Sequence, residues 1–168
     1  MVQQSLVIRL VWKALRDNYR PTRGAPSRVD DALLAAVEEK VREALDAMPA
    51  FAARSFALPE GLKAFYLVAQ DCLEPVRRGE NFKFYACTWL ATDGLHLADE
   101  AAGDSTPWLE IGSFAENHWA FICCDSEDPL FGAVVERKDS TPWSDIVWDE
   151  EVHADMLEFL QSLIPRPE

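Results

Sequence analysis

The chain has 168 residues, 49% of them hydrophobic and 27% charged, which excludes wholesale disorder and favours one domain over two. Sixteen Lys and Arg face 29 Asp and Glu, for a net charge of −13. That balance argues against non-specific binding to nucleic acid or anionic membranes and permits a basic partner; no apolar stretch approaches the roughly 20 residues a bilayer span needs.

The first helix is expected over residues 3–19. Val7, Leu10, Val11, Ala14 and Leu15 make one apolar face at helical spacing, and Arg9, Lys13, Arg16 and Arg20 make a basic stripe on another. The start, Met1-Val2-Gln3-Gln4-Ser5, lacks a charged n-region, and Arg9 interrupts the apolar run that follows, so no signal peptide is expected. Pro21 and Gly24 end this helix. A second begins at Asp30 or Asp31, either of which caps it, buries Leu34, Val37, Val41, Leu45 and Met48, and stops by Pro49. A third opens at Leu58-Pro59-Glu60 with proline in its first turn. Its stripe is Leu62, Phe65, Tyr66, Ala69, Cys72 and Leu73, and Pro75 and Gly79 close it.

The apolar period then shortens to two. Phe82, Phe84 and Ala86 alternate with Lys83, Tyr85 and Cys87, which reads as a strand. Further strands are expected at 108–112, 119–124, 131–136 and 146–148. The 119–124 run is apolar throughout and therefore central, with both faces covered. Asp125-Ser126-Glu127-Asp128-Pro129 is a short turn, which implies antiparallel pairing with the next strand. A last helix over 151–164 buries Val152, Met156, Phe159, Leu160 and Leu163. The order predicts one α+β domain over 1–168: N-terminal helices, a mostly antiparallel (mixed) sheet of about five strands flanked by helices, and a C-terminal helix.

Charge is divided unevenly along this order. Residues 1–88 hold 13 basic and 11 acidic side chains, whereas residues 89–168 hold 3 basic and 18 acidic ones, a net of −15. Asp104-Ser105-Thr106-Pro107-Trp108 recurs as Asp139-Ser140-Thr141-Pro142-Trp143, which reads as two equivalent turns.

Catalytic signatures are sparse. The sequence contains no nucleophile elbow, phosphate loop or dinucleotide fingerprint. Cys72, Cys87, Cys123 and Cys124 have no zinc-like spacing, and Cys123 and Cys124 point to opposite faces of a strand as buried hydrophobes. Reduced thiols suggest a cytoplasmic chain. Glu150 and His153 stand three apart at a helix start and read as solvated first-turn groups, since a di-metal bundle site needs that motif twice. His118, in a turn ahead of the central strand, shows no orienting carboxylate and nucleophile. No cofactor or metal is expected. The densest acidic set is Asp125, Glu127, Asp128, Glu136, Asp145, Asp149, Glu150 and Glu151, with Trp143 and Trp148 among the last of these. Carboxylates around an exposed indole suit the docking of a basic protein.

Several of these segments resemble the SUKH superfamily, which includes bacterial toxin-immunity proteins and a fungal regulator of cell-wall synthesis. Leu58-Pro59 opening a helix that carries Phe65 is similar to that family's leucine–proline pair. Trp108-Leu109-Glu110-Ile111-Gly112, Trp119 to Asp125, Phe131-Gly132-Ala133-Val134-Val135 and Phe159-Leu160 resemble its successive strands and final helix. The likeness covers residues 56–164, with residues 1–50 a helical extension beyond it. Two turns depart: Asp71-Cys72-Leu73-Glu74-Pro75 stands where the family has an Asn-Gly-Gly-like turn, and Ala115-Glu116-Asn117-His118 where it has a glycine.

The resemblance implies a non-enzymatic immunity protein that occludes a secreted toxin such as a nuclease or deaminase. The expected partner-binding residues are Asp125, Glu127, Asp128, Glu136, Trp143, Asp145, Trp148 and Asp149, facing a basic toxin domain, with no direct contact to nucleic acid or membrane. The rival readings are a regulatory or scaffold protein binding endogenous partners, and a hydrolase combining His118 with Glu110 or Glu116.

Overall fold

Helix α1 spans Val2–Leu15 in the computed structural model, which describes residues 2–49, 54–76, 82–97, 106–115, 117–138 and 152–164. Its buried residues are Ile8, Val11, Trp12 and Leu15, an i, i+3, i+4, i+7 row. Leu10, expected on the apolar face, is 63% exposed. The helix is rotated so that Trp12 rather than Leu10 enters the core, where its ring lies 5.3 Å from Phe65 and 5.2 Å from Tyr19. The indole has the larger apolar surface to remove from water. A 3-10 turn over Arg16–Asn18 leads into strand β1, Tyr19–Arg20, which pairs antiparallel with β2, Glu74–Pro75.

Helix α2 runs Asp31–Asp46. Asp30 is its cap, accepting from the Leu33 N–H at 3.0 Å, and Leu34, Val37, Val41 and Leu45 face inward. Met48 lies past the helix end and is exposed. Helix α3, Glu60–Ala69, follows Pro59 and ends sooner than its apolar spacing suggests. Gln70 and Asp71 both take a left-handed conformation at φ 53°. The Gln70 side chain clasps Val29, donating to its carbonyl at 2.7 Å and accepting from its N–H at 3.0 Å. Backbone hydrogen bonding from a side chain stops the helix here without a glycine.

The sheet contains β3 (Lys83–Phe84), β4 (Leu95–Leu97), β5 (Pro107–Ala115), β6 (His118–Cys123), β7 (Val134–Lys138) and β8 (Val152–His153). The order is β3-β5-β6-β7-β8, with β4 also on β5, and every pairing is antiparallel. Helix α4, Met156–Ser162, closes the chain. The fold is therefore α+β.

Other boundaries also differ from the sequence reading: the first helix ends at Leu15 rather than residue 19, and the strand expected at 108–112 runs Pro107–Ala115. The strand expected from Phe82 to Cys87 pairs only at Lys83–Phe84, and Cys87–Ala91 is a 3-10 turn. The Tyr85 N–H still donates to the Ile111 carbonyl at 3.0 Å, but Tyr66 Oη donates to the Tyr85 carbonyl at 2.9 Å and the Cys87 N–H to Asp71 Oδ1 at 3.2 Å, so beyond Tyr85 the backbone leaves the sheet for α3 and the turn after it. The strand expected at 131–136 starts at Val134, because the preceding turn extends through Gly132. The helix expected from residue 151 starts at Met156: Val152 and His153 join β7, and Asp155 caps α4 by accepting from Glu158 N–H. The strand expected at 146–148 lies outside the described residues.

Both sheet faces are buried along the central strands. Leu109, Ile111, Ala120, Ile122, Cys124 and Val134 join the helices in one core, threaded by Phe65, Phe82, Phe84 and Phe159 with ring spacings of 4.6, 4.7 and 5.0 Å. Trp108, Phe121, Cys123 and Val135 cluster on the other face with Trp119, Leu130 and Val152. Cys123 and Cys124 thus point to opposite sides, and all four cysteines are free thiols. Among the described residues no helix is long and apolar enough to cross a membrane.

Candidate functional site

The turn after β6 gathers the first of the acidic residues. Cys124 is apolar core, so the chain leaves the sheet at Asp125 with one strand face still buried. Asp125 is 1% exposed and bridges to Phe56. Its Oδ2 accepts from Arg54 Nη1 at 3.2 Å and its Oδ1 from the Glu127 N–H at 3.1 Å, an Asx turn. The Ser126 N–H and hydroxyl both donate to the Ser55 carbonyl at 2.7 Å. Asp128 Oδ1 accepts from Leu130 N–H at 2.8 Å, and its Oδ2 lies 3.4 Å from the Thr106 hydroxyl.

Only Glu127 of these three acids projects into solvent, held by the Ser55 hydroxyl at 2.9 Å. Asp125 is spent on Arg54 and on the turn's own backbone, so it is a folding element rather than a steering charge. Asp128 is half-buried and caps the second half of the turn.

Glu136 occupies a different place. Register sets Ala120 opposite Glu136 and Val134 opposite His153, so His118 and His153 are its diagonal neighbours on one face of β6-β7-β8. Its Oε2 lies 3.3 Å from His118 Nε2 and its Oε1 lies 2.7 Å from His153 Nε2. The rings are held from behind: Phe114 stacks on His118 at 4.4 Å, and Phe159 meets His153 edge-on at 5.3 Å. The carboxylate sits between the two imidazoles and uses both oxygens on them. Such a bridge orders the edge of the sheet but leaves no donor set turned toward a shared centre. Among the described residues no group of three or more His, Cys, Asp or Glu is arranged to hold a metal ion. Its members sit on separate strands, with His118 and Glu136 far apart in sequence, and only the strand register brings them together.

Trp143, Asp145, Trp148 and Asp149 lie outside the described residues, as does Glu116. The sequence-predicted partner of His118 on the described part of the chain, Glu110, is buried on β5 beside Tyr85, while His118 reaches Glu136. Burial, more than the nearby Glu110, pushes the Tyr85 hydroxyl up to about 12, so it stays protonated. Comparison with family models, with curated proteins and with solved structures produced no match to this chain.

Proposed function

We propose that this chain is a non-enzymatic protein-binding module, an immunity protein of the SUKH type that neutralises a secreted toxin such as a nuclease or deaminase in the cytoplasm of the cell that makes it. The observation carrying this reading is the acidic excess of residues 89–168 together with the fixed presentation of Glu127. Eighteen acidic against three basic side chains give that half a strong negative field, which speeds encounter with a basic cleft at low salt. Glu127 stands on a turn whose backbone is pinned to Ser55 and Asp125, so a partner meets it with little ordering left to do. Nuclease clefts are basic because they hold phosphates, and a fixed carboxylate such as Glu127 can occupy a phosphate position there. Trp143 and Trp148, among Asp145 and Asp149, supply the aromatic anchors such an interface uses.

The test is affinity capture of the product of the adjacent gene with the purified chain. A stoichiometric complex that inhibits that product supports the reading; no complex with a folded, active product rejects it.

A further inference from the structure

A groove of about 470 Å³ runs between α1 and the C-terminal end of α3, on the side of the molecule built from the basic first half. Its floor is apolar: Trp12 and Tyr19 are buried, and Val68 and Ala69 continue it along α3. Its rim is cationic. Arg9, Lys13 and Arg16 line it, against one carboxylate, Asp17, which lies 3.8 Å from Arg16 Nε. Arg9 and Lys13 have no ion-pair partner among the described residues, whereas Arg20 and Arg42 each sit on a carboxylate. Beside this row stand Leu6 and Leu10, 58% and 63% exposed, each three residues before a cation, Arg9 and Lys13 in turn. Two adjacent leucines left in water next to unpaired cations are the mark of a face that meets something.

We infer that this groove docks an acidic polypeptide segment that also carries apolar side chains. The three cations are strung over about 10 Å of helix axis, a spacing that suits carboxylates repeated along a chain. A lone phosphate or a nucleotide uses one end of that row and leaves Leu6 and Leu10 in water. A segment with both acids and aliphatic residues covers both rows, in the helix-in-groove manner. Nucleic acid pairs with the three cations but brings no aliphatic side chains to cover Leu6 and Leu10. The site is separate from the acidic face and independent of the toxin-binding reading, so either stands without the other.

The probe is a short fluorescein-labelled peptide of glutamates interspersed with leucines, with a lysine–leucine peptide of equal length as control. Saturable binding of the acidic peptide is expected, about tenfold weaker in Arg9→Glu/Lys13→Glu and weakened by salt. Leu6→Ser/Leu10→Ser should weaken it without changing the salt dependence. All four side chains are exposed, so both variants keep the fold. Alkylation gives a second readout: Cys87, Cys123 and Cys124 are buried and Cys72 lines the groove, so labelling of the folded protein reports Cys72 and should slow when peptide is bound. Equal binding of both peptides, indifference to the charge reversal, or unaltered Cys72 labelling at saturation overturns the proposal. So does sedimentation showing a dimer that Arg9→Glu/Lys13→Glu dissociates, since a second copy then owns this face.

Discussion

Arg54 Nη1 donates to Asp125 Oδ2 at 3.2 Å, joining the segment before α3 to the turn after the central strand across 71 positions of chain. The carboxylate is 1% exposed and the guanidinium side chain 35%, so the pair is half sheltered and cannot be traded for water on the acid's side. This pair, rather than any surface role, explains an aspartate at that position.

Truncating Arg54 leaves a buried carboxylate without its cation. Arg54→Ala should lower the unfolding free energy by about 1–3 kcal/mol, below the range for fully buried pairs because water reaches the guanidinium. Asp125→Asn should cost less, since its Oδ1 still accepts the Glu127 N–H. Urea denaturation measures both; an Arg54→Ala protein as stable as the parent would mean that the turn's own backbone, and not Arg54, holds Asp125 in place.

Glu136 ties β6 to β8 through two imidazoles, and its removal should be felt as stability. Glu136→Ala deprives His118 and His153 of their acceptor, for an expected loss of about 1–2 kcal/mol, limited by partial access of water. In thermal unfolding the midpoints of Glu136→Ala and His153→Ala should both fall, because each loses the 2.7 Å contact between His153 and Glu136. A stable Glu136→Ala protein that had lost a hydrolytic activity would instead make the cluster catalytic.

Gly112 follows a register shift in β5, where Ile111 is the extra residue between Glu110, opposite Phe121, and Gly112, opposite Ala120. A Cβ there would collide with the Lys83 carbonyl and come within 2.6 Å of the Phe82 ring. Gly112→Ala should therefore separate β3 from β5 and cost about 2–4 kcal/mol. Hydrogen exchange should show faster exchange of the Tyr85 amide, which donates to the Ile111 carbonyl at 3.0 Å; unchanged protection would mean that β3 shifts freely.

Asp71 is fully buried and accepts from the Cys87 N–H at 3.2 Å and from its thiol at 3.7 Å. Burial holds its carboxyl above the usual aspartate range, with the Cys87 hydrogen bonds pulling the other way. The groups facing it are Cys87, whose thiol burial pushes up to about 12, and the phenol of Tyr66, pushed well up by burial and then by Asp71. The folded state thus binds this proton more tightly than the unfolded chain does. Its stabilising contribution is complete below the unfolded value of about 3.9 and is lost as pH rises through the raised folded value. Asp71→Asn keeps an acceptor for Cys87 and tolerates the left-handed backbone, so it should flatten the decline of stability with rising pH. Urea midpoints across that range decide it; parallel curves for parent and variant would contradict the assignment.

Periodicity made the helices legible because each buries one continuous stripe: the Asp30 cap and the Pro59 start are where the spacing places them. Their ends were harder. The α3 stripe continues in sequence through Cys72 and Leu73, yet the helix stops at Ala69 because the Gln70 side chain bonds Val29, a partner 41 positions away. The alternation holds from Phe82 to Phe84 and then breaks, with Ala86 partly buried and Cys87 wholly so, because Tyr66 and Asp71 redirect this backbone. At α4 a local signal existed: Asp155 and Glu158 form an Asp-x-x-Glu cap, with Glu158 Oε2 accepting from the Ala154 N–H at 2.6 Å, and it marks the start better than the acids of 149–151. Side-chain roles in the acidic set were not legible, since nothing local distinguishes Asp125, buried on a distant arginine, from Glu127, two residues on and exposed. The bridge of Glu136 to His118 and His153 depends wholly on strand register.

The most direct measurement is the association rate of the purified chain with the product of its adjacent gene, followed by stopped flow across a salt series. A rate that falls steeply with salt, and that Glu127→Lys lowers while flattening the salt dependence, is the predicted result. A folded partner that associates no faster at low salt, with Glu127→Lys indistinguishable from the parent, would contradict the acidic-face account.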